Sequence, residues 1–210
     1  MLLFDQLLTA DVLRTADKAT MQPRELPGRY GRVIRDLERL LAATATQAVV
    51  AGGWAVWSHG YVGRVTQDVD IVIPAISQEA LLSIAPVCGF DVLRGGPGSW
   101  PKLIHRETSI EADLLPEGGI PGTAARPAPK PIRHPSDYGA LPGGLRFIAL
   151  AGLFELKLGA HRAKDIADLV ELIKVNPEQL NDLRLQLNRI HPSYSAELEE
   201  LIQQSREEVA

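Results

Sequence analysis

The run VTQDVDIVI, from Val65 to Ile73, constrains the fold more than any other stretch of the chain. Apolar residues occupy alternate positions along most of it, which predicts a strand with one face in a hydrophobic core. That face comprises Val65, Val69, Ile71 and Ile73. The opposite face carries Asp68 and Asp70, whose carboxylates then point the same way and lie close together. The strand therefore requires a sheet with an apolar side and an acidic side.

Two neighbouring carboxylates repel each other and resist burial, so the pair does not stabilise the fold by itself. A hard divalent cation relieves this conflict, and Mg²⁺ prefers carboxylate oxygens. Asp113, in the apolar stretch SIEADLL, is suited to supply a third carboxylate from an adjacent strand and complete a two-metal site. The alternative is an acidic pair on the solvated face of an edge strand.

Gly52 and Gly53 follow a short β-branched run and precede a stretch typical of a helix. Glycine lets the backbone turn tightly and lets a ligand approach the amide groups. The first turn of a helix favours anions. The glycine pair followed by an acidic strand therefore predicts a phosphate-binding bend and a metal site in one cleft, whereas the glycines alone mark only a turn.

The stretch GGWAVWSHGYVGRVTQDVDIVI resembles the signature of the DNA polymerase beta-like nucleotidyltransferase superfamily, and RVTQDVDI is similar to the form found in its small bacterial members. The spacer between the glycine pair and Asp68, from Trp54 to Gln67, is slightly longer than is usual in this superfamily. Gly53 occupies a position where the superfamily more commonly has serine. The resemblance implies a nucleotidyltransferase fold and two Mg²⁺ ions, with a nucleoside triphosphate as substrate. The metal ligands it implies are Asp68, Asp70 and Asp113. The expected nucleotide contacts are Gly52, Gly53, Arg64 and Thr66, although Arg64 also suits a surface position and Thr66 a plain strand position.

The stretch LFELKLGAHRAKDIADLVEL, residues 153 to 172, is similar to a pattern of abortive-infection (AbiE toxin)-type nucleotidyltransferases. A single helix from Gly152 to Lys174 would place Lys157 and Lys164 on one stripe. Either lysine could then reach the triphosphate and stabilise charge on the leaving pyrophosphate, and Lys157 is the predicted catalytic lysine. The alternative is a solvated face with intrahelical ion pairs, which stabilise a helix only weakly.

The predicted fold class is α/β (α+β), a small mixed sheet flanked by helices and followed by a helical carboxy-terminal region. The predicted domains are a helical segment at 1–45, a nucleotidyltransferase core at 46–142 and a helical region at 143–210. Helices are expected at 30–44, 54–59, 77–86, 145–174 and 193–209, with another opened by Pro177. Strands are expected at 47–51, 65–73, 91–94, 102–106 and 109–115. The Pro- and Gly-rich segment 117–142 is predicted to be a loop, either a domain boundary or a mobile lid.

Apolar residues make up 45% of the chain and charged residues 23%, which is typical of a globular protein. A net charge of −4 argues against a strong polyanion binder. Cys88 is the single cysteine, which excludes an internal disulfide. No apolar run approaches the length of a membrane span, and MLLFDQLLTADVLR lacks the basic start of a signal peptide. We expect a cytoplasmic protein.

The predicted activity is transfer of a nucleoside monophosphate to a hydroxyl acceptor. One acceptor is RNA, particularly a tRNA end, as for a toxin with an antitoxin partner. Another is a small hydroxylated molecule such as an aminoglycoside or lincosamide antibiotic. A basic edge formed by Arg126, Lys130, Arg133 and Arg146 would favour RNA, whereas Glu111 and Glu117 would suit a small molecule. The alternative class is a non-catalytic nucleotide-binding protein of the same fold.

Overall fold

The computed structural model describes residues 22–26, 28–63, 66–96, 99–142 and 144–208. Seven α-helices lie within these ranges: α1 (Gly28–Ala43), α2 (Gly52–Ser58), α3 (Gln78–Ile84), α4 (Leu150–Ala160), α5 (Ala163–Val175), α6 (Leu180–Ile190) and α7 (Pro192–Glu207). The strands within them are β1 (Val49–Val50), β2 (Val69–Ile73), β3 (Phe90–Leu93), β4 (Lys102–His105), β5 (Glu111–Pro116) and β6 (Arg146–Phe147).

The strands form one mixed sheet in the order β3-β4-β5-β2-β1-β6. Two pairs, β2 with β5 and β1 with β6, are parallel, and the remaining neighbours are antiparallel. The predicted fold class, a mixed sheet with helices and a helical carboxy-terminal region, is therefore confirmed. The domain boundaries proposed from the sequence stay a prediction.

Each face of the sheet is covered by its own apolar cluster, and alternate residues of β2 enter the two clusters. Val69, Ile71 and Ile73 pack with the buried face of α1, whereas Val72 packs with α4 and α5. Asp70 lies between Ile71 and Val69 in sequence and therefore points to the same side as Val72. The alternation predicted for this strand is confirmed from Val69 to Ile73, and it directs Asp70 towards the carboxy-terminal helices.

Most elements lie close to their predicted positions, although the strands around 47–51 and 65–73 are shorter than expected. The segment 117–142 is a loop with one 3₁₀ turn, at Pro135–Tyr138. Ser77, which precedes α3, makes no capping hydrogen bond with its side chain. Residues 1–21 of the helical segment predicted at 1–45 lie outside the described residues, as do Arg64 and Val65.

The single helix predicted for 145–174 is wrong, because the structure has a strand followed by two helices there. His161 ends α4 in a left-handed conformation with φ 51°, and its amide donates to Lys157 O at 2.8 Å. The amide of Arg162 then donates to Asp165 Oδ2 at 3.3 Å, which caps the start of α5. Apolar residues keep a helical period across this break, so periodicity alone did not reveal it.

None of the helices in the described ranges is both long enough and apolar enough to cross a lipid bilayer.

Candidate active site

Asp70 and Asp113 lie side by side on neighbouring parallel strands. They are direct partners in the register of β2 and β5. Residues paired in this way point to the same face of a sheet. Asp113 thus lies on the strand next to β2, as predicted from the sequence.

Gly52, the first residue of α2, lies directly against the carboxylate of Asp70. Its backbone has φ +59°, and an added Cβ would lie 1.6 Å from Asp70 Oδ2. No side chain fits in that gap, and the left-handed conformation itself favours glycine. The first glycine of the pair is therefore required by the aspartate, irrespective of any phosphate.

The environment of Asp70 makes its negative charge unfavourable. Burial, together with the charges of Asp68 and Asp113, raises the pKa of this carboxyl to about 7, although the charges of Lys157 and Arg162 act in the opposite direction. A carboxyl with such a pKa is partly protonated near neutral pH. A cation bound beside it would favour the ionised form.

Asp68 precedes β2 and faces a different cavity from Asp70. It lines a space of about 360 Å³ together with Arg29 and Glu111. The buried hydroxyl of Thr66 donates to Asp68 Oδ1 at 3.2 Å. Thr66, which was predicted to contact the nucleotide, is 2% exposed. Its hydroxyl contacts Asp68 in the structure.

The cavity beside Asp70 and Asp113 has a volume of about 430 Å³, within the range of small-molecule sites. Gly52 and Trp100 form part of its wall, and its apolar floor includes Leu115, Leu153 and Leu156. Its charged lining residues are Asp70, Asp113, Asp165, Lys102, Lys157 and Arg162. The cavity therefore joins the acidic face of the sheet to the first turn of α5.

Lys157 lies in the cavity wall as a buried, ion-paired side chain. Its Nζ donates to Asp165 Oδ1 at 3.1 Å and to Asp168 Oδ2 at 2.6 Å. All three residues are at most 5% exposed. Asp165 and Asp168 thus orient this lysine across the break between α4 and α5.

Arg162 sits at that break and is the most exposed cation of the cavity, at 60% for its side chain. Its Nε donates to Asp165 Oδ2 at 2.6 Å. The hydrogen bond to Asp165 raises the pKa of the guanidinium, and the charges of Asp70 and Asp68 add to this effect. Arg162 is thus within electrostatic reach of the acidic face.

Lys102 bridges two carboxylates on the strand next to its own. Its Nζ lies 2.9 Å from Glu111 Oε2 and 3.1 Å from Asp113 Oδ1. The contact with Glu111, followed by that with Asp113, raises the pKa of the ammonium group. An ammonium group therefore already contacts one of the predicted metal ligands.

Of the three carboxylates predicted to converge, Asp70 and Asp113 line one cavity, whereas Asp68 lines another. In the described part of the chain, no three His, Cys, Asp or Glu side chains are arranged to hold a metal ion. The donor set is nevertheless all oxygen, which suits Mg²⁺. The mutual repulsion around Asp70 supplies a reason to bind a cation there. The residues fit a divalent ion once Asp113 turns from Lys102.

Two further predicted nucleotide contacts that the structure describes, Gly53 and Lys164, lie outside the lining of this cavity. Gly53 is buried, and Lys164 is exposed on the first turn of α5. Sequence reasoning missed Lys102, Trp100 and Arg162 as lining residues. Of these, Arg162 stood within the quoted carboxy-terminal motif and could have been singled out there.

The cations proposed as a basic edge for RNA are partly engaged elsewhere. Arg133 Nη2 lies 2.6 Å from Glu155 Oε2, and Arg126 Nη2 lies 3.1 Å from Glu197 Oε1. Lys130 and Arg146 are exposed but do not line the cavity. Of the acidic groups proposed for a small molecule, Glu111 contacts Lys102. The other, Glu117, accepts from the amide of Ala75 at 3.3 Å.

No family model matches the chain, and no curated protein matches it. Among solved structures, it is similar to ANT(2")-Ia in complex with adenylyl-2"-tobramycin. The identity is 15% and the TM-score 0.40, with coverage of 85% of this chain and 97% of that one. A solution structure of the antibiotic-resistance factor ANT(2'')-Ia matches at the same identity and TM-score, over 85% of this chain and 91% of that one. At these values the likeness assigns neither a family nor an activity, and the resemblance to abortive-infection toxins stays a prediction.

Proposed function

We propose that the chain is a nucleotidyltransferase that moves a nucleoside monophosphate from a nucleoside triphosphate to a hydroxyl acceptor in the cavity beside Asp70. The observation that carries this proposal is the in-register pair of Asp70 and Asp113 on neighbouring parallel strands, with Gly52 pressed against the first. The pair opens into a cavity that also presents lysine and arginine side chains. Such a combination suits a metal-bound polyphosphate better than it suits a purely structural role.

Asp70 and Asp113 would hold Mg²⁺, whereas Asp68, which lines a different cavity, would join them only by turning towards Asp70. When bound, the ions would lower the pKa of the acceptor hydroxyl and neutralise charge on the triphosphate. In the structure, the hydroxyl of Thr66 donates to Asp68 Oδ1 at 3.2 Å, and this hydrogen bond would have to break or follow if Asp68 turned. The absence of a Cβ at position 52 leaves room for the carboxylate of Asp70.

In the reaction, the acceptor oxygen bonds to the α-phosphorus while the bond from that phosphorus to pyrophosphate breaks. Asp113 takes the proton of the acceptor hydroxyl, as the resemblance implies. Arg162 is placed to contact the phosphates, since it is exposed and held by Asp165 at 2.6 Å. A planar guanidinium suits phosphate oxygens. Lys157 positions Asp165 and thereby Arg162, because the ammonium contacts Asp165 at 3.1 Å.

A small hydroxylated molecule is the better acceptor for this cavity. Beyond its charged residues, the lining is largely apolar or small and includes Leu153, Leu156, Ala160, Ile120 and Pro121. A volume of about 430 Å³ is that of a small-molecule site. RNA binding needs lysines and arginines free to contact phosphates. RNA as acceptor, with a toxin-antitoxin role, therefore ranks second.

Incorporation of label from α-³²P nucleoside triphosphates tests the proposal. The protein is incubated with Mg²⁺, each of the four nucleotides, and a panel of aminoglycosides, lincosamides and total tRNA. Asp70→Asn keeps the shape of the side chain but removes the charge, and we expect labelling to fall at least about 100-fold, as for loss of a group that stabilises the transition state. Equal labelling by Asp70→Asn and the wild type would falsify the metal assignment.

Asp91→Asn is the matched control. Asp91 is an exposed aspartate on strand β3 of the same sheet, 62% exposed, and it contacts Arg106 at 2.7 Å. The substitution changes the net charge by the same amount without touching the cavity. It should leave labelling close to the wild-type level. A loss in both variants would point to instability or to long-range charge and not to the chemistry at Asp70.

A further inference from the structure

Lys102 occupies the place where a cation would neutralise the carboxylates of the cavity. It is the direct partner of Asp113 in the antiparallel register of β4 and β5. Its ammonium lies 3.1 Å from Asp113 Oδ1 and 2.9 Å from Glu111 Oε2. Glu111 and Asp113 are two residues apart on one strand and thus share a face. One ammonium group therefore spans both.

The ion pair between Lys102 and Asp113 is partly exposed. The side chain of Lys102 is 41% exposed and that of Asp113 is 27% exposed, although the contacted oxygen, Asp113 Oδ1, is itself buried. Ion pairs between partly exposed side chains contribute little to stability. A divalent ion carries twice the charge of an ammonium group and prefers carboxylate oxygens. A metal ion at Asp70 and Asp113 would thus displace the lysine.

Glu111 gives the displaced ammonium a second partner. Lys102 Nζ already contacts Glu111 Oε2 at the shorter of its two distances. When Lys102 leaves Asp113, its ion pair with Glu111 remains, so the displaced ammonium group keeps a carboxylate partner. Lys102 also lines the cavity. It therefore stays beside whatever ligand arrives with the metal.

Resting on the function proposed above, we propose that Lys102 is a built-in competitor for the divalent cation at Asp113. Its ammonium holds the carboxylate while the site is free of metal and pairs with Glu111 alone once a metal ion enters. Lys102 thereby lowers the metal affinity of the free protein. A nucleoside triphosphate, which brings its own Mg²⁺, would overcome the competition more readily than the free ion.

Mn²⁺ titrated into the nucleotide-free protein and followed by electron paramagnetic resonance of the unbound ion tests this competition. Lys102→Met removes the ammonium and keeps the aliphatic length, and we expect roughly two- to fivefold tighter Mn²⁺ binding, the factor expected of an exposed ion pair. Lys102→Arg keeps the charge and should bind Mn²⁺ much as the wild type does. Equal or weaker binding by Lys102→Met overturns the proposal.

Lys174→Met is the matched control, because Lys174 also bridges two carboxylates, Glu171 at 2.8 Å and Glu208 at 2.7 Å. It lies outside the lining of the cavity, so its loss should not change Mn²⁺ affinity. A gain equal to that of Lys102→Met would show a general charge effect and overturn the competition. Binding by Lys102→Met where the wild type binds none supports it.

A second readout needs no metal-bound enzyme activity. Thermal unfolding without metal should show Lys102→Met slightly less stable than the wild type, and saturating Mn²⁺ should narrow the difference, because only the ion pair with Glu111 is then still missing. A deficit that is undiminished in Mn²⁺ contradicts the exchange of one cation for the other. If Mn²⁺ binds none of the variants and shifts none of the melting curves, the metal site of the proposed function fails as well. Binding that is equal in all variants overturns the competition alone.

Discussion

Lys157→Met should destabilise the protein strongly, because it removes the cation from a buried ionic cluster. Lys157 is 5% exposed, and it contacts Asp165 at 3.1 Å and Asp168 at 2.6 Å. The two aspartates are 1% and 5% exposed. Removing one partner of a buried ion pair costs about 3–5 kcal/mol, since the remaining charge is left in a medium that solvates it poorly. Arg162 still serves Asp165, so the lower end of that range is expected.

Equilibrium urea unfolding at pH 7, followed by far-UV circular dichroism, measures the change in the free energy of unfolding. Lys174→Met is again the matched control, because it makes the same substitution at a lysine that also contacts two carboxylates. This ion pair is more exposed, at 24% for the side chain of Lys174 and 43% for that of Glu208, so the loss of Lys174 should change the free energy of unfolding little. A cost for Lys157→Met no larger than that of the control refutes the burial argument.

The cost should also depend on pH in a defined direction. Although burial of Asp165 opposes it, the hydrogen bond from Arg162 and the charge of Lys157 hold the pKa of Asp165 below its ordinary value of 3.8. A carboxyl with a lowered folded-state pKa contributes stability above its unfolded pKa, and this contribution is lost as the pH falls through the folded value. The difference between wild type and Lys157→Met should therefore narrow below about pH 4. A difference that is constant from pH 7 to pH 3 would contradict the cause assigned to it.

Two further predictions concern the wall of the cavity. Gly52→Ala should lower the free energy of unfolding by more than Gly89→Ala does. Both glycines have positive φ, a conformation that costs a non-glycine residue about 1–2 kcal/mol. At Gly52, an added Cβ would also lie 1.6 Å from Asp70 Oδ2. Equal costs in urea unfolding would refute the clash. Trp100 lines the cavity, whereas the other tryptophans are at most 2% exposed. ATP with Mg²⁺ should therefore quench the tryptophan fluorescence of the wild type, and Trp100→Phe should abolish this quenching. Quenching that persists in Trp100→Phe would place the nucleotide elsewhere.

The acidic face of the sheet was predictable because its signals are local. Alternation along β2 fixes which residues share a face, and it directed Asp70 away from the cluster that holds Ile71. The apolar stretch around Asp113 indicated a second strand in the same way. The sequence could not give the register between the two strands, which is set by the packing of helices on both faces. That register is what makes Asp70 and Asp113 partners.

The cations of the site were harder to predict because they depend on distant parts of the chain. Lys102 reaches Asp113 through the pairing of β4 with β5, and no periodic pattern marks it. Arg162 enters the cavity only because His161 ends α4 in a left-handed conformation. Non-glycine residues rarely adopt that conformation. Because position 161 is histidine and not glycine, the sequence does not indicate that the helix ends there. One uninterrupted helix would have carried the motif past the cavity.

The charges of the cavity decide how an anionic ligand can enter it. Among the described residues of its lining, each cation already faces a carboxylate: Lys102 contacts Asp113, and both Lys157 and Arg162 contact Asp165. A triphosphate arriving alone would meet Asp70 and Asp113 with no surplus of positive charge to offset its own. Under the proposed function, the positive charge it requires would come with it, as a bound divalent ion. The same ion would relieve the repulsion around Asp70 and take the place of Lys102, so we expect metal and nucleotide binding to favour each other.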